Sequence, residues 1–218
     1  MYKVRIVLSK LEPACYLSHL DFMKALQRSA VRAGLPVRYS QGFNPHIEMV
    51  LPVPLSTGYR GERELCDLEL ESDEPPADLL ARLNAALPRG IEAHAFGPAS
   101  RPAREVAFCA YELRFPAGDE ARMAELFTRP VTVDKRSKRG SREVDARDYI
   151  RSIAFERQGT HTLCRCVLAA GEDPLNPLYL AAALRENGLL GAEDGVIYTR
   201  THILDAELEE FCNFPLQF

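Results

Sequence analysis

Residues 18–58 read SHLDFMKALQRSAVRAGLPVRYSQGFNPHIEMVLPVPLSTG, joining a capped cationic helix to a loop dense in hydrogen-bonding side chains. Ser18 and Asp21 have the spacing of a capping box: the hydroxyl takes a free amide, and the carboxylate reaches back while favouring the positive end of the helix dipole. At 100° per residue Phe22, Met23, Leu26, Ala30 and Ala33 gather on one face, while Lys24, Arg28 and Arg32 follow at four-residue steps on the other side. Gly34, with Pro36 soon after, stops the helix. The loop then supplies Tyr39, Ser40, Gln41, Asn44 and His46, with Gly42 and Pro45 as backbone punctuation. It contains no nucleophile with its base, no phosphate-cradling glycine loop and no metal-ligand set. It therefore reads as a binding surface, with no catalytic residue assigned.

N-terminal to this stretch, Tyr2–Leu8 alternates as a half-buried strand. Ile47–Pro54 and Glu64–Glu71 read as two strands joined by a turn around Gly58 and Gly61. In the second of these Asp67, Glu69 and Glu71 share one face, read as an exposed acidic edge. Pro75 and Pro76 open a helix whose apolar stripe runs from Leu79 to Leu87, and Ile91–Phe96 returns as a strand. This order, βαββαβ, fits a ferredoxin-like half. A Gly, Pro, Ala and Arg linker at 97–104 sets a boundary near residue 103. Beyond it come a strand at Val106–Phe115, a helix at Asp119–Phe127, a short strand at Pro130–Asp134, a hairpin around Gly159, a helix at Asn176–Asn187 and a strand at Val196–Leu204. Asp205–Glu210 reads as an acidic helix or tail. The expected fold class is α+β, with two ferredoxin-like halves at 1–103 and 104–218, the second assigned on element order alone.

The 218 residues are 46% hydrophobic, enough for a buried core. No apolar run is long enough to span a membrane, and the first residues lack the apolar core of a signal peptide, so the expectation is a cytoplasmic protein without a membrane partner. Cys15, Cys66, Cys109, Cys164, Cys166 and Cys212 form no CxxC pair, which argues for buried thiols over zinc or a disulfide framework, and no cofactor is expected. The net charge of −4 hides segregation. Residues 1–60 carry an excess of five positive charges and residues 61–100 an excess of six negative ones. An acidic total argues against a chain coated in nucleic acid, yet local basic surfaces still attract phosphate backbones.

The densest such run is Lys135, Arg136, Ser137, Lys138, Arg139, Gly140, Ser141 and Arg142, a basic hairpin or loop. With Lys24, Arg28 and Arg32 it forms the expected nucleic-acid-binding set, giving salt-sensitive affinity with little sequence information; the plainer reading is a solvated loop. His19 and His46 offer a competing enzyme reading, as acid–base or metal-binding groups, although a metal site needs a third ligand. The architectural reading buries His19 and makes Phe43 the hydrophobic anchor of a loop packed inward.

SHLDFMKALQRSAVRAGLPVRYSQGFNPH followed by LPVPLSTGYRGERELCDLEL resembles the radical SAM-linked protein family, also catalogued as domain of unknown function 2344 (DUF2344). The similarity continues more loosely through LNAALPRGIEA, KRSKRGSREVDARDYI and IYTRTHIL. The resemblance implies an accessory role beside a radical SAM protein, an uncharacterized activity, and a signature at His19, Asp21, Arg28, Tyr39, Ser40, Gln41, Gly42, Phe43, Asn44 and His46. Ile47 stands where the family often has a second proline. The chain lacks the CxxxCxxC triplet that holds a radical SAM iron–sulfur cluster. Three functions are thus expected in rank: a non-catalytic accessory module that binds RNA, or presents an RNA-linked substrate to a partner radical SAM enzyme, with ligand-binding residues His19, Arg28, Arg38, Tyr39, Ser40, Gln41, Asn44 and His46; an enzyme using His19 and His46; and a protein adaptor of a radical SAM protein without nucleic acid.

Overall fold

In the computed structural model residues 1–73, 75–137, 140–212 and 214 are described. The chain forms two compact units, one from Met1–Ala103 together with the segment that begins at Glu210, the other from Arg104–Glu209. The first contains β1 (Tyr2–Lys10), α1 (His19–Arg32), β2 (Met49–Val50), β3 (Arg60–Leu70), α2 (Leu79–Ala86) and β4 (Ile91–Pro98). Its sheet runs β4-β1-β3, antiparallel throughout, and β2 pairs with β3. Leu68 faces Val4 on one side and Met49 on the other, so β2 lies on the edge of β3 away from β1.

One face of this sheet carries Val4, Ile6, Leu8, Cys66, Leu68 and Leu70 against Phe22, Leu26 and Ala30 of α1 and Leu79, Leu80 and Leu83 of α2. Ser18 caps α1 as the spacing predicts, its Oγ accepting from the Asp21 amide at 3.2 Å and donating to Asp21 Oδ2 at 2.7 Å. The two helices also finish one another. Ser29 Oγ and Arg32 Nη2 donate to the Ala86 carbonyl at the end of α2, at 3.0 and 2.6 Å, and Arg82 Nε donates to the Ala33 carbonyl at the end of α1 at 2.9 Å. Carbonyls that each helix leaves without an internal donor are thereby satisfied.

The other face departs from the half-buried pattern, because every β1 residue from Val4 to Lys10 is buried. Arg5 is 2% exposed and grips Asp67, its direct cross-strand partner, through Nε–Oδ1 at 2.6 Å and Nη2–Oδ2 at 2.8 Å. Asp67 is therefore no exposed edge carboxylate: it is the buried counter-ion of Arg5, with Lys3 at 3.6 Å. The segment after the second unit closes over this pair. The Phe211 ring lies against the guanidinium carbons of Arg5, at 5.3 Å, and Arg101, at 4.5 Å; Cys212 Sγ is 3.8 Å from Arg5 Nη1; Arg63 pairs with Glu210. Of the acidic helix or tail expected over 205–210, no helix forms: the segment is a turn, in which Asp205 Oδ1 accepts from the amides of Glu207 and Glu209.

The second unit contains β5 (Phe108–Pro116), α3 (Glu120–Leu126), β6 (Thr132–Ser137), β7 (Gly140–Asp145), β8 (Ile150–Gln158), β9 (His161–Ala169), α4 (Leu178–Glu186) and β10 (Ile197–Leu204). Its sheet runs β10-β5-β9-β8, again antiparallel, over a core that includes Leu113, Met123, Cys164, Cys166, Leu168, Leu180 and Leu184. β6 and β7 form a separate two-stranded ribbon, so the described residues of the basic run, 135–137 and 140–142, are paired backbone, with Ser137 opposite Gly140. Lys138 and Arg139 lie outside the described residues. At the start of α3, Glu120 accepts from Arg157 Nε at 2.8 Å and from Thr162 Oγ at 2.5 Å, and these donors, Arg157 first, hold its carboxyl at about 2. All six cysteines are free and buried. No helix among the described residues is long and apolar enough to cross a membrane.

Gly58 and Gly90 separate two costs of a side chain. Both have φ near +85°, but a Cβ on Gly58 meets nothing within 4 Å, whereas one on Gly90 would lie 2.7 Å from the Leu11 carbonyl oxygen and 2.9 Å from that of Glu12. Gly58→Ala should cost roughly 1–2 kcal/mol of left-handed strain, and Gly90→Ala about 3 kcal/mol or more once backbone overlap is added; equal urea midpoints for the two variants would refute the distinction. The low Glu120 value predicts acid sensitivity. Its folded value, about 2, lies below its ordinary 4.5, so its contribution is complete above about 4.5 and is lost as the pH falls towards 2. Glu120→Gln should therefore flatten the decline in melting temperature across that window, and a decline as steep as that of the wild type would contradict the assignment.

Candidate functional site

The polar loop is the tip of a hairpin held on the edge of β3. Val37 bridges to Leu70 and Tyr39 to Ile47; the Arg38 amide donates to the Glu69 carbonyl at 2.9 Å, and the Glu69 amide to the Glu48 carbonyl at 3.0 Å. Arg38 itself spans Glu48 at 3.2 Å and Glu69 at 3.1 Å, so its charge holds the hairpin to the sheet. The tip closes at Ser40 and His46. The Ser40 amide donates to the His46 carbonyl at 2.8 Å, the His46 amide donates to Ser40 Oγ at 3.1 Å, and His46 Nδ1 lies 2.8 Å from that hydroxyl.

Everything between those two residues faces solvent. Gln41, Gly42, Phe43, Asn44 and Pro45 are exposed, and Gly42, at φ +139°, takes the backbone through a conformation that side chains resist. Phe43 is 106% exposed, so the expected hydrophobic anchor is instead a bare ring at the summit of the hairpin. The inward-packing expectation fails because the bonds between Ser40 and His46 close the loop at its base, and the backbone from Gln41 to Pro45 beyond them is exposed to water instead of packed inward. Tyr39, 42% exposed, stands on the arm below.

Beside the hairpin runs the outer face of α1. Gln27, Arg28, Val31, Arg32 and Ile47 line a groove of about 310 Å³, and Gln27 Nε2 donates to the Ile47 carbonyl at 3.4 Å across it. The three helix cations divide by role. Arg32 is committed to the Ala86 carbonyl, whereas Lys24 and Arg28 are exposed and make no side-chain bond within the described residues. His19, in the first turn of α1, is half-buried and likewise has no side-chain partner there, while the His46 ring is engaged by Ser40. No group of three or more His, Cys, Asp or Glu side chains converges as a metal site among the described residues.

The second basic segment is less free than its composition implies. Lys135 is 8% exposed and donates to Asp173, and Arg142 donates to the same carboxylate and, at 2.8 Å, to the Tyr149 hydroxyl. Arg136 stays exposed, with its Nε 3.7 Å from Asp134 Oδ2. Asp173 and Tyr149 were not foreseen, since the acid lies 31 residues beyond Arg142 in sequence. Gln27 and Val31 of the groove carry no signal beyond their place on α1, and Phe43, in the signature that the resemblance implies, is expected as an inward anchor and not as an exposed ring.

Comparison with known proteins adds a family and little more. No curated protein matches this chain. Twenty-four chains of solved structures do. One is an unknown protein from Galdieria sulphuraria, 13% identical over 91% of this chain and 98% of its own, with a TM-score of 0.27. The family model described as "Uncharacterized protein conserved in bacteria (DUF2344)" matches residues 3–177, which include α1, the hairpin tip and the β6–β7 ribbon. The chain belongs to that family, DUF2344.

Proposed function

We propose that this chain is a non-catalytic accessory module of the cytoplasm, which binds single-stranded RNA at the 40–46 hairpin tip and presents it to a partner radical SAM enzyme. The observation that carries the reading is the fully exposed Phe43 ring, raised on a hairpin whose base is locked by Ser40 and His46. Unstacked bases are bound by stacking on such rings, at about 1–3 kcal/mol per base, and the hairpin base, held before binding, loses little entropy when a base arrives. Gln41 and Asn44 flank it with amide donors and acceptors suited to base edges. Lys24 and Arg28, one turn apart on α1, supply cations for phosphates.

The same reading takes the two units as ferredoxin-like halves. In its favour, the strand order β4-β1-β3-β2 of the first is matched by β10-β5-β9-β8 of the second, with the β6–β7 ribbon as an insertion. The exposure of Leu20, 68%, and Val31, 50%, on the helix that carries Lys24 and Arg28 favours a protein contact on that face as the second reading. The enzyme reading has less support, because the His46 ring is tied to Ser40 and no third metal-ligating group joins it among the described residues.

Fluorescence anisotropy with a short unstructured RNA tests the proposal. Phe43→Ala should weaken binding by about 5- to 150-fold, the equivalent of one stacked base. Lys24→Ala with Arg28→Ala should weaken all sequences alike and reduce the salt slope by about one for each phosphate that is no longer neutralised. Wild-type affinity in both variants, or no binding by the wild type at low salt, would sink the RNA reading.

A further inference from the structure

The β6–β7 ribbon contains a like-charge pair that its own sequence does not neutralise. The register sets Lys135 directly opposite Arg142, on one face of the ribbon. Two cations so placed repel, which ordinarily destabilises a strand pair. The ribbon's nearest acids, Asp134 and Glu143, are opposed to each other one position along and so project from the other face.

The missing anion comes from elsewhere in the chain. Asp173, on the turn after β9, receives Lys135 Nζ on one carboxylate oxygen, and Arg142 Nη2 and the Tyr149 hydroxyl, at 2.7 Å, on the other. Lys135 also lies over the Tyr149 ring, its Nζ 4.4 Å from the centroid. The side chain of Lys135 is 10% exposed whereas that of Asp173 is 56% exposed. Lys135 is thus held and largely desolvated beneath the carboxylate, whereas Arg142, 58% exposed, and Asp173 both stand at the surface, where a soluble anion can reach them. Two cations and a phenolic donor facing one monoanion leave a positive charge over. A phosphate monoester, with two negative charges and three terminal oxygens, matches that donor set in charge and in number.

We propose that Lys135, Arg142 and Tyr149 form a seat for a phosphate monoester, and that Asp173 occupies it as an internal surrogate which the ligand displaces. The seat belongs to the second unit, shares no residue with the α1 and hairpin surface, and stands whether or not that surface binds RNA.

Phosphorus NMR titration of the full chain with inorganic phosphate at pH 7.5, with chloride at matched ionic strength as the control, tests the seat. Asp173→Asn should bind phosphate at least tenfold more tightly than the wild type, and Asp173→Asn combined with Lys135→Met should lose that gain. Equal binding by all three proteins would overturn the proposal. Should Asp173→Asn fail to fold, carbon NMR of the wild type decides: the Asp173 carboxyl, held at about 2 by Lys135 and then Tyr149, should return towards the ordinary carboxylate range at saturating phosphate, and its staying put would refute displacement. Phenyl phosphate against a 5′-phosphorylated trinucleotide distinguishes a small ester from an RNA end. Equal binding of the 5′-hydroxyl trinucleotide would overturn the monoester assignment.

Discussion

The buried pair of Arg5 and Asp67 is the constraint around which the first unit is arranged. It sits at a direct cross-strand position on the middle strands, with both residues almost sealed from water. Removing one partner of such a pair leaves an uncompensated charge and costs about 3–5 kcal/mol, although a well-packed apolar pair would serve stability as well. What a hydrophobic pair would lack is the remaining capacity of the guanidinium. After two hydrogen bonds to Asp67, Arg5 still contacts Cys212 Sγ and the Phe211 ring. The pair therefore fixes the register of β1 on β3 and also specifies which segment covers that face.

On the opposite face a similar reciprocity joins the helices. The ends of α1 and α2 are completed by donors from each other, through Ser29 and Arg32 in one direction and Arg82 in the other. This makes α1 a rigid wall for the groove, while Arg38 staples the hairpin to β3. The exposed tip therefore projects from a fixed base. Two of the cations that composition assigns to ligand binding, Arg32 and Arg38, produce this rigidity, leaving Lys24 and Arg28 at the surface.

Local features were legible in the sequence wherever a single element determined them. Ser18 and Asp21, Gly34, and the stripe of Phe22, Leu26 and Ala30 gave the limits and buried face of α1, because capping and periodicity are properties of one helix. What escaped depended on partners distant in the chain. Asp67 alternates like an exposed edge residue, and only its pairing with Arg5, 62 residues away, shows why it is buried. Lys135 belongs to a run that reads as solvated, yet it is buried over the Tyr149 ring and paired with Asp173, 38 residues away. Phe43 shows the converse error: aromatic character suggests burial, but the turn chemistry around it points the ring outward.

The cover that Phe211 and Cys212 provide for Arg5 has a consequence for synthesis. A chain leaves the ribosome from its N-terminus, and domains made early commonly fold first. Here β1 and β3 are complete long before the residues that close one face of their sheet, and the whole of 104–209 is made in between. Until then the Arg5 charge lacks its aromatic lid, so the nascent first unit waits, incompletely sealed, while the later one has all of its own strands and helices. Vectorial translation thus reverses the usual order: the unit begun first is the one finished last.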